Sequence, residues 1–244
     1  MTTLGRLGDW IQVHSGGKFW PLDPRGEEVR IDDVAHALSL ICRFTGHTKD
    51  FYSVAQHSVL VAWTVKRWLK EATCSGCKTV GFLLDGKYVR ATRYRDVDDY
   101  YELLCDDCFE DARAPAHSIT SVLDERGINL IALAGLLHDG SEAYICDIAR
   151  PVKMLPEMKA YRDAERKVQA CIYHAFGMLP FEPNLVKRAD NVLLATEARD
   201  LLATLHADWT IRPPEWETLV ERIDPWTADQ AESIFLTTFE ELAE

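Results

Sequence analysis

The chain has 244 residues, 47% of them hydrophobic, which is enough to bury a core in one domain with an insertion or in two domains. It carries 27 Lys and Arg residues against 39 Asp and Glu residues, and the net charge of -12 disfavours binding to nucleic acid and to anionic membranes. The N-terminal segment lacks the pattern of a signal peptide, and no apolar run approaches the ~18 residues of a membrane span. We therefore expect a protein of the cytoplasm.

The first 71 residues predict extended chain followed by two helices. A segment with two prolines and a glycine between short apolar groups, KFWPLDPRGEEVRI, is typical of extended chain and turns. Asp32 or Asp33 is a candidate cap for a helix that runs to about residue 44. Ser53 is a candidate cap for a longer helix, whose apolar face includes His57.

Composition changes between residues 72 and 111, where a hairpin with its turn at Asp85-Gly86 and an acidic segment each adjoin a Cys-x-x-Cys pair. Without secretory signals, such pairs favour thiolate metal ligation over disulfides. Two pairs can close a tetrahedral site for structural zinc, which would stabilise a small insert without a core of its own. The 27 residues between the pairs exceed the usual zinc-ribbon separation, so redox thiols remain the alternative. The four thiols are Cys74, Cys77, Cys105 and Cys108.

Helical periodicity returns after the insertion, with Gly127 as a stop signal between two runs. The second run ends at His138-Asp139. Three long helices are predicted at roughly 157–176, 183–207 and 227–242, separated by prolines. The single cysteines lie among apolar neighbours, where a free cysteine is typically a small core residue; these are Cys42, Cys146 and Cys171. The sequence as a whole predicts a mainly α fold.

Histidine and aspartate side chains interrupt three of the predicted apolar helix faces. His57 lies on one helix, His138-Asp139 closes another, and Asp190 shares a face with Glu197 on a third. Any one of them alone is more simply explained as a hydrogen-bonded core residue. Together they could surround one divalent ion, because imidazole nitrogen and carboxylate oxygen suit Zn, Mn, Fe, Co and Ni.

The order His, then His-Asp, then Asp resembles the motif of the HD-domain metal-dependent phosphohydrolases. The segments SVAQHSV, LLHDGSEAYICD, RPVK and RADN are similar to their 5′-deoxynucleotidase branch, and the region from FWPLDP to VAQHS looks especially like phage-type dATP triphosphohydrolases. The resemblance covers about residues 18–68 and 123–205. It implies an HD-domain helical bundle from residues 1–72 and 112–244, with residues 73–111 as an inserted zinc-ribbon-like β-hairpin module.

The resemblance also implies roles for individual residues. The metal ligands would be His57, His138, Asp139 and Asp190. Glu142 follows His138 by one helical turn, so its carboxylate can face the same cavity and act as general acid or base; a solvated surface acid is the competing interpretation. Asp147 matches a second acidic position, where it would position the attacking water or hold an additional Mg, Mn or Co ion.

Four further residues are candidates for substrate binding. Arg43 corresponds to an arginine that contacts substrate phosphate in the family, and its planar fork fits phosphate oxygens. His47 could assist it. Lys153 would add a positive charge, although a solvated lysine at a helix entry is equally typical. Trp20 lies where phage-type relatives place an aromatic ring against a purine, and an ordinary core aromatic is the alternative.

These observations predict an enzyme that cleaves the 5′-phosphate ester of a deoxynucleotide and releases phosphate or triphosphate, with a dATP- or dAMP-type purine as the favoured substrate. A cyclic-nucleotide or signalling-nucleotide phosphodiesterase of the same superfamily is a second enzymatic hypothesis. The alternative from another class is a zinc-ribbon interaction protein that binds nucleic acid or a protein partner. The resemblance further implies a homo-oligomer, and the host cytoplasm as the location if a phage encodes the chain.

Overall fold

The computed structural model describes residues 5–71, the backbone of four strand segments, residues 125–206, residue 208 and residues 218–244. The fold is mainly α, as the sequence predicts. The helices are α1 (Ile31–Leu40), α2 (Val54–Glu71), α3 (Glu125–Leu136), α4 (Glu142–Ile145), α5 (Arg150–Lys153), α6 (Lys159–Ala175), α7 (Asn184–Leu201) and α8 (Ala228–Ala243). No helix within these ranges is long and apolar enough to cross a membrane.

The strands form antiparallel pairs. β1 (Ile11–Gln12) pairs with β2 (Lys18–Phe19) near the N-terminus. Within the predicted insertion, β3 (Gly81–Leu84) pairs with β4 (Lys87–Arg90), with Leu84 opposite Lys87, which confirms the predicted pair of strands; Asp85 and Gly86 lie outside the described residues. A second hairpin, β5 (Arg93–Val97) with β6 (Tyr100–Leu104), is not predicted: β5 lies mostly in the stretch assigned to the first hairpin, and β6 lies in the acidic segment. The four paired cysteines, Cys74, Cys77, Cys105 and Cys108, lie outside the described residues.

Helix α2 is the centre of the bundle. It packs against α1, α3, α7 and α8, so its first three turns are buried on nearly every side. Ser53 caps it, as predicted, because its hydroxyl accepts a hydrogen bond from the Gln56 N–H at 3.1 Å. Since the helix is surrounded, Gln56 finds its partners inside the protein: its amide bonds the Asp224 carbonyl at 2.8 Å and the Trp226 N–H at 2.9 Å.

Two predicted helix boundaries are wrong. Asp33 does not cap α1; its carboxylate accepts hydrogen bonds from the N–H and hydroxyl of Ser15, at 2.6 and 2.9 Å, and so ties the N-terminal hairpin to the helix. The helix ends at Leu40, because Ile41 is extended, with φ -86° and ψ 122°; Phe44 and Thr45 beyond it adopt positive φ angles of 53° and 54°, so the helix does not resume there.

Glycine and proline signals also fail at two later helix boundaries. Gly127 is not a stop, since α3 runs through it from Glu125 to Leu136. Tertiary packing outweighs the cost of about 1 kcal/mol of a glycine inside a helix. At its other end, α3 stops at Leu136, so His138 and Asp139 lie after the helix, in a series of turns that leads to α4. Helix α7 ends at Leu201, six residues before the predicted end.

Candidate metal centre

Side chains from three parts of the bundle meet beside α2. His57 comes from α2, His138 and Asp139 follow α3, and Asp190 lies on α7. His57 and His138 are buried, whereas both aspartates are partly exposed. His57, His138 and Asp139 form a group whose ligand atoms all lie within 4.8 Å of one another and could hold a metal ion.

The distances among His57, His138 and Asp139 fit a shared ion, and Asp190 lies beside this group next to His57. His57 Nε2 lies 3.3 Å from His138 Nε2, 3.4 Å from Asp190 Oδ1 and 3.7 Å from Asp139 Oδ2. His138 Nε2 lies 3.2 Å from the same Asp139 oxygen. Two donors about 2.1 Å from one ion, at angles between octahedral and tetrahedral, stand roughly 3.0 to 3.4 Å apart. Most of the observed separations fall in this interval.

The imidazole tautomers favour a cation between the two histidines. His57 Nδ1 lies 2.6 Å from Glu197 Oε1, and His138 Nδ1 lies 2.8 Å from the Gly135 carbonyl oxygen. Both partners only accept hydrogen bonds, so each ring carries a proton on Nδ1 and turns Nε2 towards the site. The two Nε2 atoms lie 3.3 Å apart, a separation that requires a proton or a metal ion between them, because two lone pairs facing each other would repel.

Glu197 fixes one side of this arrangement. Burial alone would raise the pKa of its carboxyl, but Arg43, His57 and Tyr52 together lower that pKa below its ordinary value. The Tyr52 hydroxyl donates to Oε1 at 2.9 Å and Arg43 Nη2 donates to Oε2 at 3.3 Å. Carboxylate, imidazole and metal are arranged in this order at many protein metal sites, where the carboxylate orients the ring and increases its basicity.

The electrostatic field of the site is negative and attracts cations. Burial disfavours the charged form of His138, yet Asp139 and Asp190 raise the pKa of this imidazole to about 10. Burial likewise acts to raise the pKa of both aspartates, but the neighbouring histidines lower it below the ordinary value, so both stay ionised. The same field that holds a proton on imidazole at neutral pH would favour a divalent cation among these groups.

Glu142 presents an unused carboxylate oxygen. The residue is buried on α4, and its Oε2 has no hydrogen-bond partner among the described residues. Burial, Asp139 and Asp147 raise the pKa of Glu142 well above its ordinary value. An unpaired buried carboxylate oxygen is costly, so this position suits a group that meets water or substrate.

Asp147 is half-buried between α4 and α5. Its pKa is raised by burial and by the charge of Asp139, and is lowered by Arg43, Lys153 and His57. Two of these groups, Asp139 and His57, are candidate metal ligands, so Asp147 lies in the electrostatic field of the candidate metal centre. The residue before it, Cys146, is exposed, in contrast to the predicted core position.

The four predicted substrate-binding residues differ in their surroundings. Arg43 Nη1 donates to Asp139 Oδ2 at 3.3 Å, while its buried Nε has no hydrogen-bond partner among the described residues. Lys153 forms an ion pair with Glu165 on α6. His47 is exposed, two residues beyond the positive-φ pair that follows Arg43.

Trp20 lies beneath a basic side chain. The Arg6 guanidinium is 4.2 Å from the centroid of its ring, and the indole N–H is buried without a described partner. The adjacent Phe19 stacks on Tyr144 of α4 at a centroid distance of 3.7 Å. This N-terminal segment therefore packs next to the short helix that carries Glu142.

Three residues near the histidines are absent from the sequence-based set. The sequence indicates Glu197 as a polar residue on the same helix face as Asp190, seven residues earlier, but its role follows only from its contact with His57. No sequence pattern indicates Tyr52. Lys187 donates to Asp190 Oδ2 at 2.7 Å and leaves Oδ1 free to face His57. A Lys three residues before an Asp on a helix is ordinarily a surface ion pair.

Comparison with known proteins identifies two relatives and no matching family model. The chain is 28% identical over 236 residues to the uncharacterized protein YfdR of Escherichia coli strain K12, covering 96% of both chains. It is 25% identical over 205 residues to an uncharacterized protein of Rhodobacter capsulatus, covering 82% of this chain and 76% of the relative. The similarity to the E. coli protein therefore extends over nearly the whole length, including the cysteine-rich segment.

Proposed function

We propose that the chain is an HD-domain phosphohydrolase that binds a divalent metal through His57, His138, Asp139 and Asp190 and cleaves the 5′-phosphate ester of deoxynucleotides. The observation that carries this proposal is the group of His57, His138 and Asp139, in which both imidazole rings turn Nε2 towards one site and Asp190 lies next to His57. Zn, Co, Mn, Ni and Fe all suit this donor set, and availability would decide among them.

A bound divalent ion would polarise a phosphate oxygen and lower the pKa of a water molecule, which supplies the nucleophile at neutral pH. The surrounding residues perform the proton transfers. Because its pKa is raised, Glu142 keeps a proton that it can give to the departing 5′ oxygen. Asp147 orients the attacking water and accepts its proton. Water oxygen then bonds to phosphorus as the bond from phosphorus to the 5′ oxygen breaks.

Arg43 and Lys153 would bind the phosphate groups. Arg43 already contacts Asp139, and a shift of its side chain would expose the buried, unpaired Nε–H as a donor to a phosphate oxygen. Lys153 would have to exchange Glu165 for phosphate. His47 would assist from the surface, and Trp20 would contact a purine base once the Arg6 side chain moves from its ring. A dATP- or dAMP-type substrate is the expected class.

The cysteine-rich segment forms the second part of the proposal. Two hairpins lie between Cys77 and Cys105, an arrangement that suits a ribbon closed by structural zinc at the two cysteine pairs. A closed tetrathiolate site does no chemistry of its own. We propose that this site stabilises the fold. We also expect the enzyme to be a homo-oligomer that acts on a small-molecule substrate.

The test incubates the metal-loaded protein with deoxynucleoside and nucleoside mono-, di- and triphosphates and identifies the products by chromatography. We expect deoxynucleoside with phosphate or triphosphate. Asp139→Ala should lower turnover by at least about a hundredfold, because even a hydrogen-bond partner of a metal ligand is worth 10- to 100-fold. Asp163→Ala, which removes an α6 carboxylate paired with Lys159 and Arg166, should not change turnover. Equal activity of Asp139→Ala and the parent protein would overturn the assignment.

A further inference from the structure

Cys146 has a backbone conformation that residues with a side chain rarely adopt. Its φ is 65° and its ψ is 159°, a region populated almost only by glycine, because a Cβ atom crowds the neighbouring peptide groups there. The side chain is exposed, so burial of the sulfur does not account for a cysteine in this conformation. Contacts to the backbone on either side must hold it.

Both peptide groups of Cys146 are fixed by hydrogen bonds. Its N–H donates to the Glu142 carbonyl oxygen at 2.8 Å, which closes the last turn of α4. Its carbonyl oxygen accepts a hydrogen bond from the Tyr161 hydroxyl at 2.6 Å. Tyr161 belongs to the first turn of α6, a different element that lies 15 residues further along the chain. The positive-φ conformation is therefore held from outside its own turn.

The segment from residue 146 to residue 155 depends on α6 for its position. Residues 146–149 have no regular structure, and the backbone hydrogen bonds of α5 stay within the segment. Three α6 side chains contact it: Tyr161 at Cys146, Arg162 at the carbonyl oxygens of Lys153 and Leu155, and Glu165 at the Lys153 ammonium. We call Tyr161, Arg162 and Glu165 the α6 clamp.

The residue that the clamp affects most directly is Asp147. It follows Cys146 immediately, so the ψ angle of Cys146 sets the direction in which the Asp147 peptide and side chain leave α4. Asp147 is partly buried, and the charges of Arg43, Asp139 and His57 all act on its carboxyl group. A rotation at Cys146 would move this carboxylate relative to the metal-binding group.

We propose that Tyr161 is a positioning residue: its hydrogen bond to the Cys146 carbonyl holds the positive-φ turn that directs Asp147 into the site. The proposal rests on the hydrolase function proposed above. It adds a residue from α6, a helix that contributes no candidate metal ligand, and it gives the strained turn at Cys146 a physical cause.

The test is a double-mutant cycle on the full-length, metal-loaded protein. Tyr161→Phe removes one hydroxyl, and we expect kcat to fall about tenfold, with KM and metal content unchanged, because Asp147 is misplaced and not lost. Cys146→Gly makes the positive-φ conformation accessible without the hydrogen bond. Combined with Tyr161→Phe, it should restore kcat to within about threefold of Cys146→Gly alone.

Cys146→Ala is the matched control. Alanine keeps the Cβ atom but lacks the thiol, so it should leave kcat of the parent protein unchanged and should not rescue Tyr161→Phe. Rescue by alanine as well as by glycine would show that the sulfur matters and that backbone conformation does not. Unchanged kcat in Tyr161→Phe would overturn the positioning role directly.

Urea unfolding of the same variants separates this proposal from the proposed function. Tyr161→Phe should lower the unfolding midpoint in the parent protein, and should lower it less in the Cys146→Gly background. If the parent protein hydrolyses nucleotides but the two substitutions act additively in both assays, the positioning role is wrong and the function stands. If no nucleotide is hydrolysed but the two substitutions still have non-additive effects on the unfolding midpoint, the proposed function and the role of Asp147 are wrong. Only the stabilisation of the Cys146 turn by Tyr161 would then stand.

Discussion

At the scale of single residues, the protein shows how a polar group is kept in an apolar interior. His57 is fully buried on the central helix, and each of its ring nitrogens faces a different kind of partner. Nδ1 bonds Glu197, which is itself held by Tyr52 and Arg43, while Nε2 faces the other candidate ligands. The cost of burying His57 is thus offset by a network of hydrogen bonds, to which an ion held by the candidate ligands would add.

This network predicts that Glu197→Gln weakens metal binding without removing a ligand. A glutamine is of similar size but carries no charge, so the imidazole becomes less basic and less firmly oriented. We expect the dissociation constant for Mn²⁺, measured by isothermal titration calorimetry, to rise about 10- to 100-fold. Glu232→Gln, which alters the partly buried pair with His36, is the control and should bind the ion as the parent protein does. Equal affinity in Glu197→Gln would refute the role of the carboxylate.

At the scale of elements, the site depends on the close approach of two helices. A Cβ atom added at Gly135 of α3 would lie 3.3 Å from the Ala62 Cα and 3.4 Å from a Val61 methyl group of α2. Gly135 precedes His138 by three residues, and its carbonyl accepts the His138 Nδ1 proton. The distance between α2 and α3 therefore sets the distance between the two histidines.

Substitutions at Gly135 should consequently affect stability and metal binding together. Gly135→Ala requires a shift of a few tenths of an ångström, whereas Gly135→Val must separate the helices. For Gly135→Val we expect the free energy of unfolding to fall by about 1 to 3 kcal/mol, the usual cost of overpacking, with weaker Mn²⁺ binding. Urea unfolding and calorimetry measure both effects. The idea fails if Gly135→Val destabilises the protein but binds Mn²⁺ normally.

At the scale of the whole molecule, the candidate ligands connect segments that are far apart in the chain. His57 lies on α2, His138 and Asp139 follow α3, and Asp190 lies on α7, so an ion among them links three parts of the bundle. A ligand that binds only the folded state stabilises it, by about 2.7 kcal/mol at a concentration 100 times its dissociation constant.

Divalent metal should therefore raise the melting temperature. For a chain of this size, 2.7 kcal/mol corresponds to a rise of roughly 5 to 11 °C. Chelation followed by addition of Mn²⁺ should give this shift in calorimetry for the parent protein and for Asp163→Ala, but not for Asp190→Ala. An equal shift in Asp190→Ala would place the stabilising ion somewhere else.

The sequence by itself determined the helical class, the central helix with its Ser53 cap, and the set of polar residues on apolar faces. These features follow from local chemistry, because hydrophobic periodicity and capping depend on residues within a few turns of one another. Prediction from the sequence failed where the local preference of a residue conflicts with the contacts that it makes in the folded protein. Asp33 bonds the N-terminal hairpin and does not cap α1, and Gly127 lies inside α3.

Only the tertiary structure decided which polar groups meet and how. The pairing of Glu197 with His57, the direction of both imidazole lone pairs and the hold of Tyr161 on Cys146 join residues from 15 to 140 positions apart. Distances between such residues are fixed by helix packing, which no local pattern encodes. The sequence therefore supplied the candidate ligands, and the packing of α2 against α3 and α7 brought them together.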